Sequence, residues 1–145
     1  RYPHNPVFHL RLAHVQGDYL RNHAAALQTY RGLFDAARTA RVAAPPVSEV
    51  HARLGMAQEM DALCETANAI EQLRAVIAQK PSTPYASLAR AHYQLGIALD
   101  RAGRRSEAVA AYQHALASTP RDDRLNLQEK ARAAIRRTAA PRACR

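Results

Sequence analysis

The chain has 145 residues, 48% of them hydrophobic, and carries 21 Lys and Arg against 12 Asp and Glu for a formal charge of +9. That length suits one compact domain or a short repeat array, and five glycines, no tryptophan and an alanine-rich body lean it towards helix. Cys64 and Cys144 are too few for a disulfide framework or a zinc site, and no apolar run approaches the ~20 residues needed to cross a bilayer.

The positive charge is almost all arginine, with Lys80 and Lys130 the only lysines. An arginine–alanine bias of this kind fits GC-rich coding as well as it fits an acidic ligand, and basic charge alone says little about fold. Cysteine usage does not assign a compartment.

Arg1-Tyr2-Pro3-His4 reads as the end of a preceding repeat, because Lys80-Pro81-Ser82 and Thr119-Pro120-Arg121 close later ones. The expectation is a piece of a longer repeat-bearing protein. Asn5-Pro6 then supplies an N-cap and a proline in the first helical turn. The helix that follows is broadly apolar, with Leu12-Ala13 as its crossing pair, and its turn is expected near Asn22. A second helix, about His23–Ala40, carries Ala26, Tyr30 and Leu33 until Arg41–Pro46 breaks it. Ser48 is the expected N-cap of a third helix, Glu49–Met60, with Leu54-Gly55 as crossing pair. A fourth carries Ala69, Leu73 and Val76 and ends at Pro81, and Thr83-Pro84 starts a fifth near Tyr85.

In the stretch Ala89–Asp122, Leu95-Gly96, Leu99, Gly103, Ala108, Tyr112, Ala115 and Pro120 follow one another at helix–turn–helix intervals. Gly96 and Ala108 are small where two helices cross, Tyr112 fills the space between one pair and the next, and Ser106 is the expected cap of the sixth helix. This pattern resembles the tetratricopeptide repeat, whose signature reads W-x2-L-G-x2-Y, then A-x3-F, then P. His92 stands in place of the tryptophan and Leu99 in place of the tyrosine. The resemblance implies an all-α, right-handed superhelix of three antiparallel helix pairs, residues about 6–40, 48–82 and 84–122. Steps of 43 and 39 residues from Tyr30 to Leu73 to Tyr112 exceed the family's repeat of about 34, through longer turns and a longer fifth helix. A seventh helix, about 124–138, capped by Asp122 or Asp123, has Leu127, Ala131, Ala134, Ile135 and Thr138 on one face and charge on the other. Such a helix closes the apolar end of a repeat stack. Residues 139–145 read as a frayed tail.

No chemistry stands out. His4, His9 and His14 recur every five residues, which turns them to different faces of a helix. There is no HExxH, no i,i+4 His pair, no Gly-x-Ser-x-Gly, no P-loop and no dinucleotide fingerprint. Ser48, Ser82 and Ser106 sit at caps or turns. The reading is a non-catalytic chain without metal or cofactor.

In the family, the first helix of each repeat lines a concave groove that takes a partner's peptide. Carried over by register, that groove offers Leu10, Arg11, His14 and Asp18, then Glu49, Arg53, Met56, Glu59 and Met60, then Arg90, Tyr93, Gln94, Ile97, Asp100 and Arg101. Leu10, Met56, Met60, Tyr93 and Ile97 would form an adaptable apolar floor, and Arg11, Arg53 and Arg90 a cationic stripe for carboxylates. The chaperone-tail clamp known in the family is disfavoured: His14, Met56 and Ile97 replace its asparagines, and Tyr93 and Ala52 replace cations. The expected function is a scaffold binding a protein or peptide partner. The alternative is a nucleic-acid or polyanion binder using Arg90, Arg101, Arg104, Arg105 and the basic last helix, opposed by interleaved Asp18, Glu49, Glu59 and Asp100. The N-terminal helix leaves room for homo-oligomerisation.

Overall fold

The computed structural model describes residues 5–137. Among them are seven α-helices and one π-helical turn, and no β-strand: α1 Pro6–His14, running on through the π-turn Val15–Tyr19, α2 His23–Arg38, α3 Pro45–Ala62, α4 Thr66–Gln79, α5 Ser87–Arg101, α6 Arg105–Ser118 and α7 Leu127–Arg136. The preceding-repeat reading of residues 1–4 and the frayed-tail reading of 139–145 lie outside the described residues.

Each helix packs against its successor, α3 also touches α5, and α5 touches α7. These contacts set α3, α5 and α7 side by side in one layer, with α4 and α6 bridging behind them. Leu54, Leu73, Val76, Leu99 and Tyr112 are buried in the main core, and each large aliphatic there contributes about 1.5–3 kcal/mol. A smaller cluster of Leu33, Ala36, Ala37, Val42 and Ala52 holds α2 to α3.

Local chemistry explains most boundaries. Asn5 Oδ1 accepts hydrogen bonds from the Val7 and Phe8 amides at 3.0 and 3.4 Å, and Asn22 Oδ1 accepts from Ala25 N at 3.1 Å. Gly103, at φ 76°, closes the α5–α6 turn in a conformation that side chains resist. Asp123 accepts from the Leu127 and Gln128 amides at 2.7 and 3.0 Å, so it is the aspartate that caps α7. The inward face of α7 is Leu127, Ala131 and Ala134, with Ile135 packed against the core; Thr138 lies outside the described residues.

Several expectations are corrected. The third helix starts at Pro45, not Glu49, because proline fits the first helical turn as well as it stops a preceding helix. Ser48 is inside that turn, buried, donating to Ala43 O at 2.9 Å. The fifth helix starts at Ser87 rather than Tyr85, since Ala86 takes left-handed dihedrals (φ 55°) that a helix cannot include. Ser106 lies one residue inside α6, whose first turn carries Glu107 but no side-chain cap. The Tyr112 ring lies on Gly96 within the α5–α6 pair, rather than between pairs. Gly96 is thus small to seat a tyrosine. Gly55 of α3 is small for the same reason, seating Tyr30 of α2. Cys64, just after α3, is disulfide-bonded, a pairing that spacing alone does not reveal; the other cysteine, Cys144, lies outside the described residues.

Candidate functional site

The layer of α3, α5 and α7 encloses a cleft of ≈410 Å³. Its centre is one face of α5, where Arg90, Tyr93, Gln94, Ile97 and Arg101 stand at i, i+3, i+4, i+7 and i+11 and so align along the helix. Ala57, Gln58 and Asp61 of α3 form one wall. Leu125, Leu127 and Lys130, on and before α7, form the other. Five residues that register assigned to the groove therefore converge on one concavity.

The other assigned residues sit elsewhere. Met56 and Met60 are 3% and 5% exposed and belong to the main core, so they offer no adaptable floor to a ligand. The helix α3 is buried nearly all round, which leaves it little free face. Leu10 is half-buried against the small cluster. Arg11 and His14 are exposed on α1, and His14 pairs with Asp18 at 2.6 Å. Arg53 is held by Glu49 at 3.0 Å, by Gln72 at 2.8 Å and over the Phe34 ring at 4.8 Å. The cationic stripe Arg11–Arg53–Arg90 is therefore not a shared wall of this cleft.

Charge in the cleft is unevenly compensated. Arg101 pairs with the Asp61 carboxylate at 2.7 Å and donates to its carbonyl at 3.2 Å. Burial raises the Asp61 carboxyl above its ordinary range, and Arg101 pulls it back. Arg90 is pushed down by burial, with the Tyr30 phenol pulling the other way, and no carboxylate pairs with it among the described residues. Its charge in turn adds to the burial that lowers His51. Gln94 Oε1 and Arg101 Nε are buried without a hydrogen-bond partner, an arrangement that costs about 1–3 kcal/mol per group. The cleft thus combines an apolar floor, Tyr93, Ile97, Leu125 and Leu127, with cations at Arg90, Arg101 and Lys130.

Two acids expected in the groove are interior instead. Glu59 is buried and accepts from His23 Nδ1 at 2.6 Å, tight against Gly17. Asp100 is 2% exposed and takes Arg105 at 2.8 and 3.0 Å, Tyr112 OH at 2.9 Å and Arg137 at 3.3 Å. Arg105 also donates to the carbonyls of Ala134, Ile135 and Arg137, where the helix dipole is negative. Arg105, one of the cations of the polyanion reading, is thereby tied to the end of α7.

The α7 wall of the cleft was not assigned from the sequence, although Lys130 on the polar side of the last helix is the one signal that pointed there. On the opposite side of the molecule, His92 and His114 stack at 5.1 Å in a shallower cleft between α4, α5 and α6. No group of three or more potential metal ligands occurs among the described residues. No helix there is long and apolar enough to cross a membrane. Compared with family models, curated proteins and solved structures, the chain finds no match.

Proposed function

We propose that the chain is a tetratricopeptide-like scaffold that binds a segment of a protein partner in the cleft formed by α3, α5 and α7. The observation that carries this reading is the convergence of Arg90, Tyr93, Gln94, Ile97 and Arg101 on one concavity with mixed character. An apolar strip between cations suits a segment that alternates apolar and acidic side chains. The partnerless Gln94 Oε1 and Arg101 Nε match the N–H and C=O that any peptide backbone carries.

The test is selection from a random peptide library, followed by binding of the enriched peptides to the parent chain and to Ile97→Asp and Arg90→Ala. The expected result is enrichment of apolar-acidic sequences whose affinity falls at least tenfold in both variants, with helicity unchanged. No enrichment, or peptides indifferent to both changes, would overturn the reading.

A second reading, binding of nucleic acid or another polyanion, has one observation in its favour. Glu59 and Asp100, which opposed it, are buried, Glu59 hydrogen-bonded to His23 and Asp100 ion-paired with Arg105. It predicts a steep negative slope of log affinity against log salt for a single-stranded homopolymer.

A further inference from the structure

The first and last described helices are finished differently. At one end α7 turns Leu127, Ala131 and Ala134 inward and leaves Glu129, Lys130, Arg132 and Arg136 to water. At the other end the arrangement is reversed. The buried residues of α1 and its π-turn are the small ones, Ala13 and Gly17. The large apolar side chains point outward: Val7, Phe8 and Leu12, then Val15, Tyr19 and Leu20, with Phe8 63% and Tyr19 74% exposed. These six are most of the exposed large hydrophobics among the described residues; Leu63 and Leu125 are the others. The π-turn helps to gather them, because its wider winding brings Tyr19 and Leu20 back beside Val15 rather than past it.

Taken from those exposures, the patch is on the order of 600 Å², at the upper end for a monomer and close to the ~800 Å² per partner of a stable interface. A helix that buries its small residues and exposes its large ones is amphipathic towards something outside the described residues. We infer that this face is the seam of a two-fold homodimer, α1 against α1 of a second copy, running antiparallel.

Charge selects the occupant and its direction. Arg11 and Asp18 are both exposed, and their separation of seven residues, about two helical turns, assigns them to one flank of the apolar stripe. Their midpoint falls at the middle of the stretch from Phe8 to Leu20. A two-fold axis through that middle, with helices antiparallel, sets Arg11 of each copy opposite Asp18 of the other, twice over, as an isologous interface requires. Parallel pairing would instead face this flank with the opposite one, which carries His9 and Gln16 and offers no such match. Asp18 is held in place by His14 at 2.6 Å while keeping its carboxylate accessible.

The test is sedimentation velocity of the full 145-residue chain over a concentration series. The expected species is about twice the 16.0 kDa of one chain, and Leu12→Glu yields a monomer of unchanged helicity. Arg11→Asp and Asp18→Arg each weaken the dimer about tenfold, and combining them restores it. Those reversals lie on exposed positions, so they report on the interface even if Leu12→Glu misfolds. A monomer up to concentrations on the order of 10⁻⁴ M would overturn the inference and leave the face to another segment of polypeptide. A dimer indifferent to Leu12→Glu would place the interface elsewhere, and failure of the double reversal to restore it would overturn the antiparallel arrangement.

Discussion

Asp100→Ala is the substitution that most directly tests how the end of this fold is held. Asp100 is the anion to which α5, α6 and the end of α7 are all tied, through Arg105, Tyr112 and Arg137. Its removal leaves the Tyr112 hydroxyl, inside a fully buried side chain, in contact only with Arg137 at 3.1 Å. Arg105 and Arg137 are 38% and 40% exposed and can recover hydration, so the loss sits at the low end of the ~3–5 kcal/mol for breaking a buried pair. Alanine returns about 0.5 kcal/mol through helix propensity. The net is about 2.5 kcal/mol, a large fraction of the ~5–15 kcal/mol that holds a domain together.

At about 4 °C per kcal/mol for a chain of this size, the melting temperature falls by about 10 °C. Asp100→Asn, which keeps an acceptor but no charge, should fall by about two thirds of that. Hydrogen exchange distinguishes this mechanism from general weakening: α7 is anchored through Arg105, so its amides lose protection first. A shift below about 3 °C, or protection lost equally in α2 and α7, would refute the reasoning.

Other perturbations follow from the same geometry. Gly96→Ala pushes a methyl into the fully buried Tyr112 ring, whereas Gly55→Ala meets the half-buried Tyr30, which can swing aside; chemical denaturation should show a loss of about 2–3 kcal/mol for the first and less for the second. Gly32→Ala in α2 meets nothing within 4 Å and should stabilise by about 0.5–1 kcal/mol on the same assay. Burial, then the Glu59 and Asp18 carboxylates, push the Tyr30 phenol from 10.0 up to about 12, and burial with Asp100 raises Tyr112 as well. Both are protonated in either state below pH 10, so their contribution is whole there and is lost as pH climbs towards the folded values; tyrosinate absorbance should therefore appear together with unfolding for these two. His51 and His92 are lowered from 6.5, chiefly by burial, with Arg90 and His114 adding to it. At these two positions the unfolded chain takes up its protons at higher pH than the folded one, so they make thermal stability fall on acidification, less steeply in His92→Gln.

The order of the helices was legible, and their extents to within a few residues, because most of their signals are local. Asn5-Pro6, Asn22, Gly103 and Asp123 each act on the next turn of chain, and the apolar spacing of Ala69, Leu73 and Val76 marks a buried face without reference to any partner. The site was legible only on α5. That helix buries its Ala91–Leu95–Ala98 side and keeps Arg90, Tyr93 and Ile97 half free, so register translated into exposure. On α3 the same register fails, because neighbours on several sides bury Met56, Glu59 and Met60 whatever their position in the repeat. Which acids turn inward was not legible either. Glu59 finds its partner 36 residues away at His23, and Asp100 is fixed inward by Arg137, 37 residues away, as well as by Arg105 five residues on; no spacing rule carries over the longer distances.

The burial of Asp100 also joins stability to the candidate cleft. Asp100 lies on α5 immediately before Arg101, and it fixes the end of α7, the helix that supplies Lys130 and Leu127 to the cleft. The cleft wall that the sequence did not reveal is therefore held by the residue that the sequence misplaced. An aspartate expected to face a ligand instead draws in Arg105 and Arg137, closes α7 over α5 and α6, and leaves Arg90 and Lys130 to give the cleft its positive character. If Asp100 faced the cleft, it would cancel that charge and α7 would lose its anchor. Turned inward, it lets a chain of net charge +9 compensate Arg105 and Arg137 at the end of α7 while leaving Arg90 and Lys130 in the cleft.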